Sequence, residues 1–126
     1  MKFLIDESLP RLVVKILKED FEKQNVSFMR DMFSEGITDK EWIHNLRNSE
    51  DFWCFVTKDR KLVKNIELLK LMKRNKISAF VVRFKGRAHQ IIGLIIQVWE
   101  QIEYLSISEK PPFYYRIMRG GKVIKY

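Results

Sequence analysis

Three aspartates, distant in the chain, have the residue type and context for joint chemistry. Asp6 follows the apolar run Phe3-Leu4-Ile5 directly in "FLIDESLP", Asp39 stands in "TDKEWI", and Asp59 stands in "VTKDR". Carboxylates held close together repel and resist ionising together unless a cation neutralises them. Hard divalent cations such as Mg2+ or Mn2+ prefer oxygen ligands, and Mg2+ keeps several waters. A cation at such a site polarises a phosphodiester and activates a water. Around the third aspartate, Lys58, Arg60, Lys61 and Lys64 suit the phosphates of a nucleic acid backbone. The expected assignment makes Asp6, Asp39 and Asp59 catalytic metal ligands, with Glu41 ligating or positioning the water. Glu7, adjacent to Asp6, is a secondary candidate, as is Thr57, whose hydroxyl is expected to orient Asp59.

Each residue also has a plainer use. Asp39 in a first helical turn complements the helix dipole. Thr38 and Glu41 have capping-box spacing. Asp59 could cap the helix that follows it, and Glu7 and Asp31 could be simple solvated acids. Asp6 is hardest to explain that way, because it follows a strand without a break. Other chemistries lack their parts. His44 and His89, with one cysteine in the chain, do not make a zinc set. No G-x-G-x-x-G or Walker sequence is present, and no stretch reads as a strained nucleophile turn beside a histidine.

The elements that must position these residues alternate between strand and helix. Apolar runs predict strands over 2–5, 26–29, 52–57 and 77–84. Helical spacing predicts a first helix over 9–23, with Ser8 as its N-cap and Pro10 in its first turn. Thr38 opens a second helix bearing Trp42, Ile43 and Leu46 on one face. Leu62, Ile66, Leu69 and Met72 or Lys73 mark a third, and a fourth covers 89–103. This alternation argues for an α/β protein with a parallel sheet and right-handed crossovers. In such a sheet the strand C-termini share one edge, where the functional crevice lies. Topology would therefore gather Asp6, Asp39 and Asp59.

Beyond Pro111-Pro112 the character changes. "FYYRIMR" and "KVIKY" flank Gly120-Gly121, a two-residue hairpin signal, and Arg116, Arg119, Lys122 and Lys125 are expected on one basic face. One domain over 1–126 is expected, with an α/β core over 1–105 and a hairpin extension over 111–126. The fourth helix is apolar over more than half its circumference. Either the hairpin covers it or a second copy of the chain does, making a homodimer.

Composition agrees with one globular domain: 126 residues, 46% hydrophobic and 32% charged. No apolar run approaches the roughly 18 residues of a membrane span, and "MKFLI" is no secretory signal. Cys54, between Trp53 and Phe55, reads as a buried thiol without a disulfide partner. Those features predict a cytoplasmic protein with no membrane association. Twenty-four Lys and Arg against sixteen acids give net charge +8, which favours polyanionic or acidic partners.

"FLIDESLP" resembles the opening of PIN-like nuclease domains. "TDKEWI" and "WCFVTKDRKLVKN" resemble the second and third blocks of VapC-type PIN-like toxins in the same order, and "NIELLKL" and "RGGKVIKY" look like that branch as well. The resemblance implies a three-layer α/β/α fold and a Mg2+- or Mn2+-dependent ribonuclease acting on RNA. It also implies the toxin half of a pair whose small antitoxin protein is encoded next to it. Carried over position by position, Asp6, Asp39 and Asp59 match the acidic site, Glu41 is a further acid, and Glu67 sits where related sequences often carry one. Two other readings stand beside it. One is a PIN-like module that binds RNA or an antitoxin without cleaving. The other is a receiver-type phosphoacceptor, for which Lys85 would be the only late lysine and Asp59 lies two residues beyond its strand.

Overall fold

Alternating apolar side chains set the layers. The computed structural model describes residues 1–126, apart from the side chain of Val63. Strands β1 (Lys2–Ile5), β2 (Val26–Phe28), β3 (Trp53–Thr57), β4 (Ser78–Val82), β5 (Tyr114–Ile117) and β6 (Val123–Lys125) form one six-stranded sheet in the order β2-β1-β3-β4-β5-β6. The first five run parallel, and β6 returns antiparallel to β5. Phe3 and Ile5, Cys54 and Val56, and Phe80 and Val82 enter one core. Their neighbours Leu4, Phe55, Ala79 and Val81 enter the other, as the period of two requires. Helices α1 (Leu12–Glu19) and α6 (Ala88–Ser108) contribute to the first core. Helices α3 (Asp39–Arg47), α4 (Lys61–Lys64) and α5 (Ile66–Arg74) contribute to the second, and the short α2 (Met29–Met32) follows β2 directly. The result is the expected three-layer α/β/α arrangement. Every residue of β3 and β4 is buried, which is why both read as continuous apolar runs rather than alternating ones.

Four differences from the sequence expectation have local causes. The first helix begins at Leu12 instead of residue 9, and Ser8 does not cap it; Arg11 occupies the cap position without a side-chain bond. The third helix is two helices. Asn65 adopts extended dihedrals between them, and its Oδ1 accepts the N–H groups of Glu67 and Leu68 at 3.1 and 3.2 Å, restarting the helix. The hairpin connection spans 118–122, with Gly120 and Gly121 both at positive φ. Its strands extend the main sheet, β5 pairing parallel with β4. The basic residues of that hairpin do not share a face. Tyr115 faces Lys125 across the pair, whereas Arg116 lies on the opposite side of the strand. Lys125 pairs with Glu109 on the α6 side, and Arg116 stacks over Tyr126 on the other.

Most of the wide apolar arc of α6 is buried within this chain. Ile91, Leu94, Ile95, Val98, Trp99 and Ile102 are buried against the sheet and α1. The turn at 119–121 also packs on the helix, where a Cβ on Gly121 would stand 2.8 Å from the Gln97 amide. No helix among the described residues is long and apolar enough to cross a membrane. Phe80 sits at the centre of the first core, fully buried, 5.5 Å from the Tyr115 ring and 5.9 Å from Phe113. Phe80→Ala should therefore lower stability by about 3–5 kcal/mol in denaturant unfolding. A loss below about 1 kcal/mol would show that this cluster does not carry the core.

Candidate functional site

The register of β1 against β3 builds the centre of the site. Ile5 is opposite Val56, and the Asp6 N–H donates to the Val56 carbonyl at 2.9 Å. Leu4 and Phe55 point into the second core, so Asp6 and Thr57, each two residues on, project to that same side. There the Thr57 hydroxyl donates to Asp6 Oδ2 at 2.8 Å, and the Ser8 hydroxyl donates to the same oxygen at 2.6 Å. Both hydroxyls also accept. Thr57 Oγ1 takes the Asp59 N–H at 2.9 Å, and Ser8 Oγ takes the Lys58 N–H at 3.1 Å. One carboxylate oxygen and two hydroxyls thus tie the loop after β1 to the loop after β3. Thr57 is completely buried, and its hydroxyl serves the Asp6 carboxylate and the Asp59 backbone rather than the Asp59 side chain.

Asp39 approaches from a helix start and Asp59 from the turn before one. Asp39 is the first residue of α3, after Thr38 at the N-cap, and its Oδ1 accepts the Trp42 indole N–H at 2.9 Å. Asp59 Oδ1 accepts the Lys61 N–H at 2.9 Å, closing the turn that leads into α4. Asp59 thus takes on the plainer turn-closing role with one of its oxygens. All three aspartates line one cleft of about 410 Å3, together with Ser8, Thr57 and Lys61, and with Trp42 and Phe55 in its apolar wall. Topology therefore brings together the three acids singled out from the sequence.

The remaining candidates divide. Glu7 lines the cleft, but its carboxylate is ion-paired with Arg30. Glu41 does not line it. Thr38 Oγ1 donates to Glu41 Oε1 at 2.9 Å and accepts the Glu41 N–H at 3.2 Å, so this residue caps α3 and borders a separate hollow with His44 and Arg47. Glu67 is exposed in the first turn of α5, outside the cleft. Of the four basic residues, Lys61 is in the cleft wall, whereas Lys58, Arg60 and Lys64 are outside it. Ser8 is the member that sequence reasoning placed wrongly. "SLP" before a helical pattern signals a cap, and the competing signal is only its position two residues after Asp6. Arg30 carried no signal at all, since its partner lies in another loop.

Among the described residues, Asp51, Asp31, Glu103, Glu7 and Glu109 form ion pairs, whereas Asp6, Asp39 and Asp59 form none. Each of the three uses one oxygen for protein donors, and the other has no hydrogen-bond partner among the described residues. Among those residues, no three His, Cys, Asp or Glu side chains stand close enough to enclose a metal ion together. The free carboxylate oxygens are hard donors of the kind that Mg2+ takes alongside water, and they do not form a closed three-carboxylate cage. Cys54 offers no competing nucleophile: it is buried in the first core, and burial pushes its thiol well above the ordinary range.

A family profile described as a PIN like domain matches residues 1–83. That span holds β1 to β4 and all three cleft aspartates. Neither the curated proteins nor the solved structures give a match.

The hydroxyl bridge is testable apart from any activity. Thr57→Val keeps the shape but strands the Asp59 N–H and removes one donor from Asp6. It should cost about 1–3 kcal/mol in urea unfolding, and Thr57→Ser should recover most of the loss. Equal stability of the valine variant and the parent would mean that the bridge contributes nothing.

Proposed function

The chain belongs to the PIN-like domain family, a nuclease-type fold, and from that premise we propose that it is a metal-dependent endoribonuclease. In this reading it is the VapC-type toxin of a type II toxin–antitoxin pair. The observation that carries the proposal is the convergence of Asp6, Asp39 and Asp59 on one cleft at the C-terminal edge of the sheet. Asp6, Asp39 and Asp59 would hold Mg2+ or Mn2+, directly or through water. A divalent cation bound there supplies polarisation of the phosphodiester and acidification of a water.

The chain's own residues do the rest. Ser8 and Thr57 fix the Asp6 carboxylate in one orientation, so no reorganisation is required when a substrate arrives. The Trp42 indole does the same for Asp39. Lys61, in the cleft wall, meets a phosphate oxygen, while Lys58, Arg60 and Lys64 raise the local cation density along the approach. Arg30 neutralises Glu7, which spares the cleft a fourth negative charge. A small antitoxin would use the basic edge or the apolar remainder of α6, where Tyr104 and Ile107 are exposed.

A second reading is favoured by one observation, the failure of any three ligand-type side chains among the described residues to converge closely. A PIN-like module that binds RNA or an antitoxin without cutting would need no such convergence. Cleavage separates the two. Expression should arrest growth, and purified protein should cut RNA only with Mg2+ or Mn2+, losing activity when the metal is chelated. Asp59→Asn should reduce cleavage by roughly 100-fold or more, the loss that follows from removing ~3 kcal/mol of charge stabilisation. Unchanged toxicity and cleavage in that variant would place the active site elsewhere, and salt-sensitive RNA binding without any cleavage would favour the binding module.

A further inference from the structure

A second groove opens on the same side of the sheet as the acidic cleft. Helix α5 meets β5 on that side, where Lys73 lies over Tyr114. Between them opens a groove of about 310 Å3 whose wall includes Leu69, Val81, Tyr114, Tyr126 and Lys73. Leu62 belongs to the walls of both the groove and the cleft, and the consecutive leucines 68 and 69 of α5 face one each. The two depressions therefore lie on either side of Leu62. No acidic residue lines the groove, in contrast to the cleft.

Its chemistry is aromatic and cationic. The Arg116 guanidinium lies over the Tyr126 ring at 5.6 Å from the centroid, and Arg83 Nη1 donates to the Tyr126 hydroxyl at 3.4 Å. The Nε atoms of Arg83 and Arg116 are buried without a partner among the described residues. Lys73 Nζ stands 6.0 Å from the Tyr114 ring, and the Tyr114 hydroxyl is anchored on the Ile77 carbonyl at 2.7 Å. Tyr126 remains 43% exposed, so part of its ring is open to a further planar group. An aromatic platform backed by arginine, beside an apolar wall and a lysine, matches what single-stranded nucleic acid requires: a base stacks and a phosphate meets a cation. The wall includes residues beyond position 83, outside the span that the family profile matches.

We propose that this groove is a nucleotide subsite for single-stranded RNA, which stacks a base on Tyr126 and places the adjoining phosphate at Lys73, next to the cleft that would cut the strand. The subsite rests on the ribonuclease reading for its purpose but not for its test. RNA bases splay out and stack on aromatic side chains when the strand is unpaired, so duplex RNA of the same sequence is excluded.

The test is equilibrium binding of a short, unstructured, fluorescently labelled oligoribonucleotide, followed by anisotropy in chelator so that nothing is cut. Tyr126→Ala should weaken binding roughly 5- to 100-fold, the range for loss of one stacked base, whereas Tyr126→Phe should bind nearly as the parent does. Lys73→Gln should lessen the salt dependence by about 0.7 in the logarithmic slope, one counterion's share on a single strand. Tyr126 and Lys73 are exposed, and unfolding curves of both variants should match the parent. Binding that Tyr126→Ala leaves unchanged overturns the subsite, even if the protein cleaves RNA. Weakened binding in a protein that never cleaves supports the subsite and sinks the ribonuclease reading alone. If sedimentation instead shows a dimer that Tyr126→Ala dissolves, the groove is a subunit contact and the proposal fails.

Discussion

Parallel pairing of β1 with β3 in a single register is the constraint on which the site depends. With Ile5 opposite Val56, Asp6 and Thr57 become neighbours although 51 residues separate them in the chain. Side-chain alternation then decides which way they point. A slip of one residue would turn the Asp6 carboxylate into the α1–α6 core, where an unpaired charge is not tolerated. The register is therefore held by both faces of the sheet at once, since Phe3, Ile5, Cys54 and Val56 must fill one core while Leu4, Trp53 and Phe55 fill the other.

From that fixed pair the cleft grows outward. Thr57 and Ser8 present donors to one oxygen of Asp6 and receive the backbone of the loop carrying Lys58 and Asp59. That loop then turns into α4 through Asp59, so Asp59 and Lys61 sit where they do because of a hydroxyl anchored on β3. Asp39 comes from the opposite wall, delivered by the capped start of α3 and held by Trp42, whose ring packs on Phe55 at 4.7 Å. A strand end, a helix start and the short turn between β3 and α4 carry the three carboxylates. A basic chain that gathers three acids without ion pairs in one cleft sets a long-range attraction for polyanions beside hard oxygen donors at short range.

Much of this was legible in the sequence. The apolar runs located the first four of the five parallel strands, and the position of Asp6, Asp39 and Asp59 just past strands or at a helix start was enough to place them at one edge. The capping box of Thr38 and Glu41 was legible too, although its formation takes Glu41 away from the cleft. What escaped depends on partners far along the chain. Ser8 reads locally as a cap, and only the arrival of Thr57 and Lys58 makes it the second anchor of Asp6. The restart at Asn65 was hidden because the leucine spacing continues across it. The hairpin was expected as an extension, yet β5 pairs with β4 through main-chain bonds that side-chain pattern does not encode. That pairing put Arg116 and Lys125 on opposite faces and created the groove beside Tyr126.

In the proposed function three aspartates, dispersed in sequence, act as one cation-holding unit. Mn2+ binding followed by electron paramagnetic resonance tests it most directly, on the parent and on Asp6→Asn, Asp39→Asn and Asp59→Asn. A saturable site in the parent that is weakened in all three variants is the predicted result. Mn2+ binding that all three substitutions leave unchanged would contradict it.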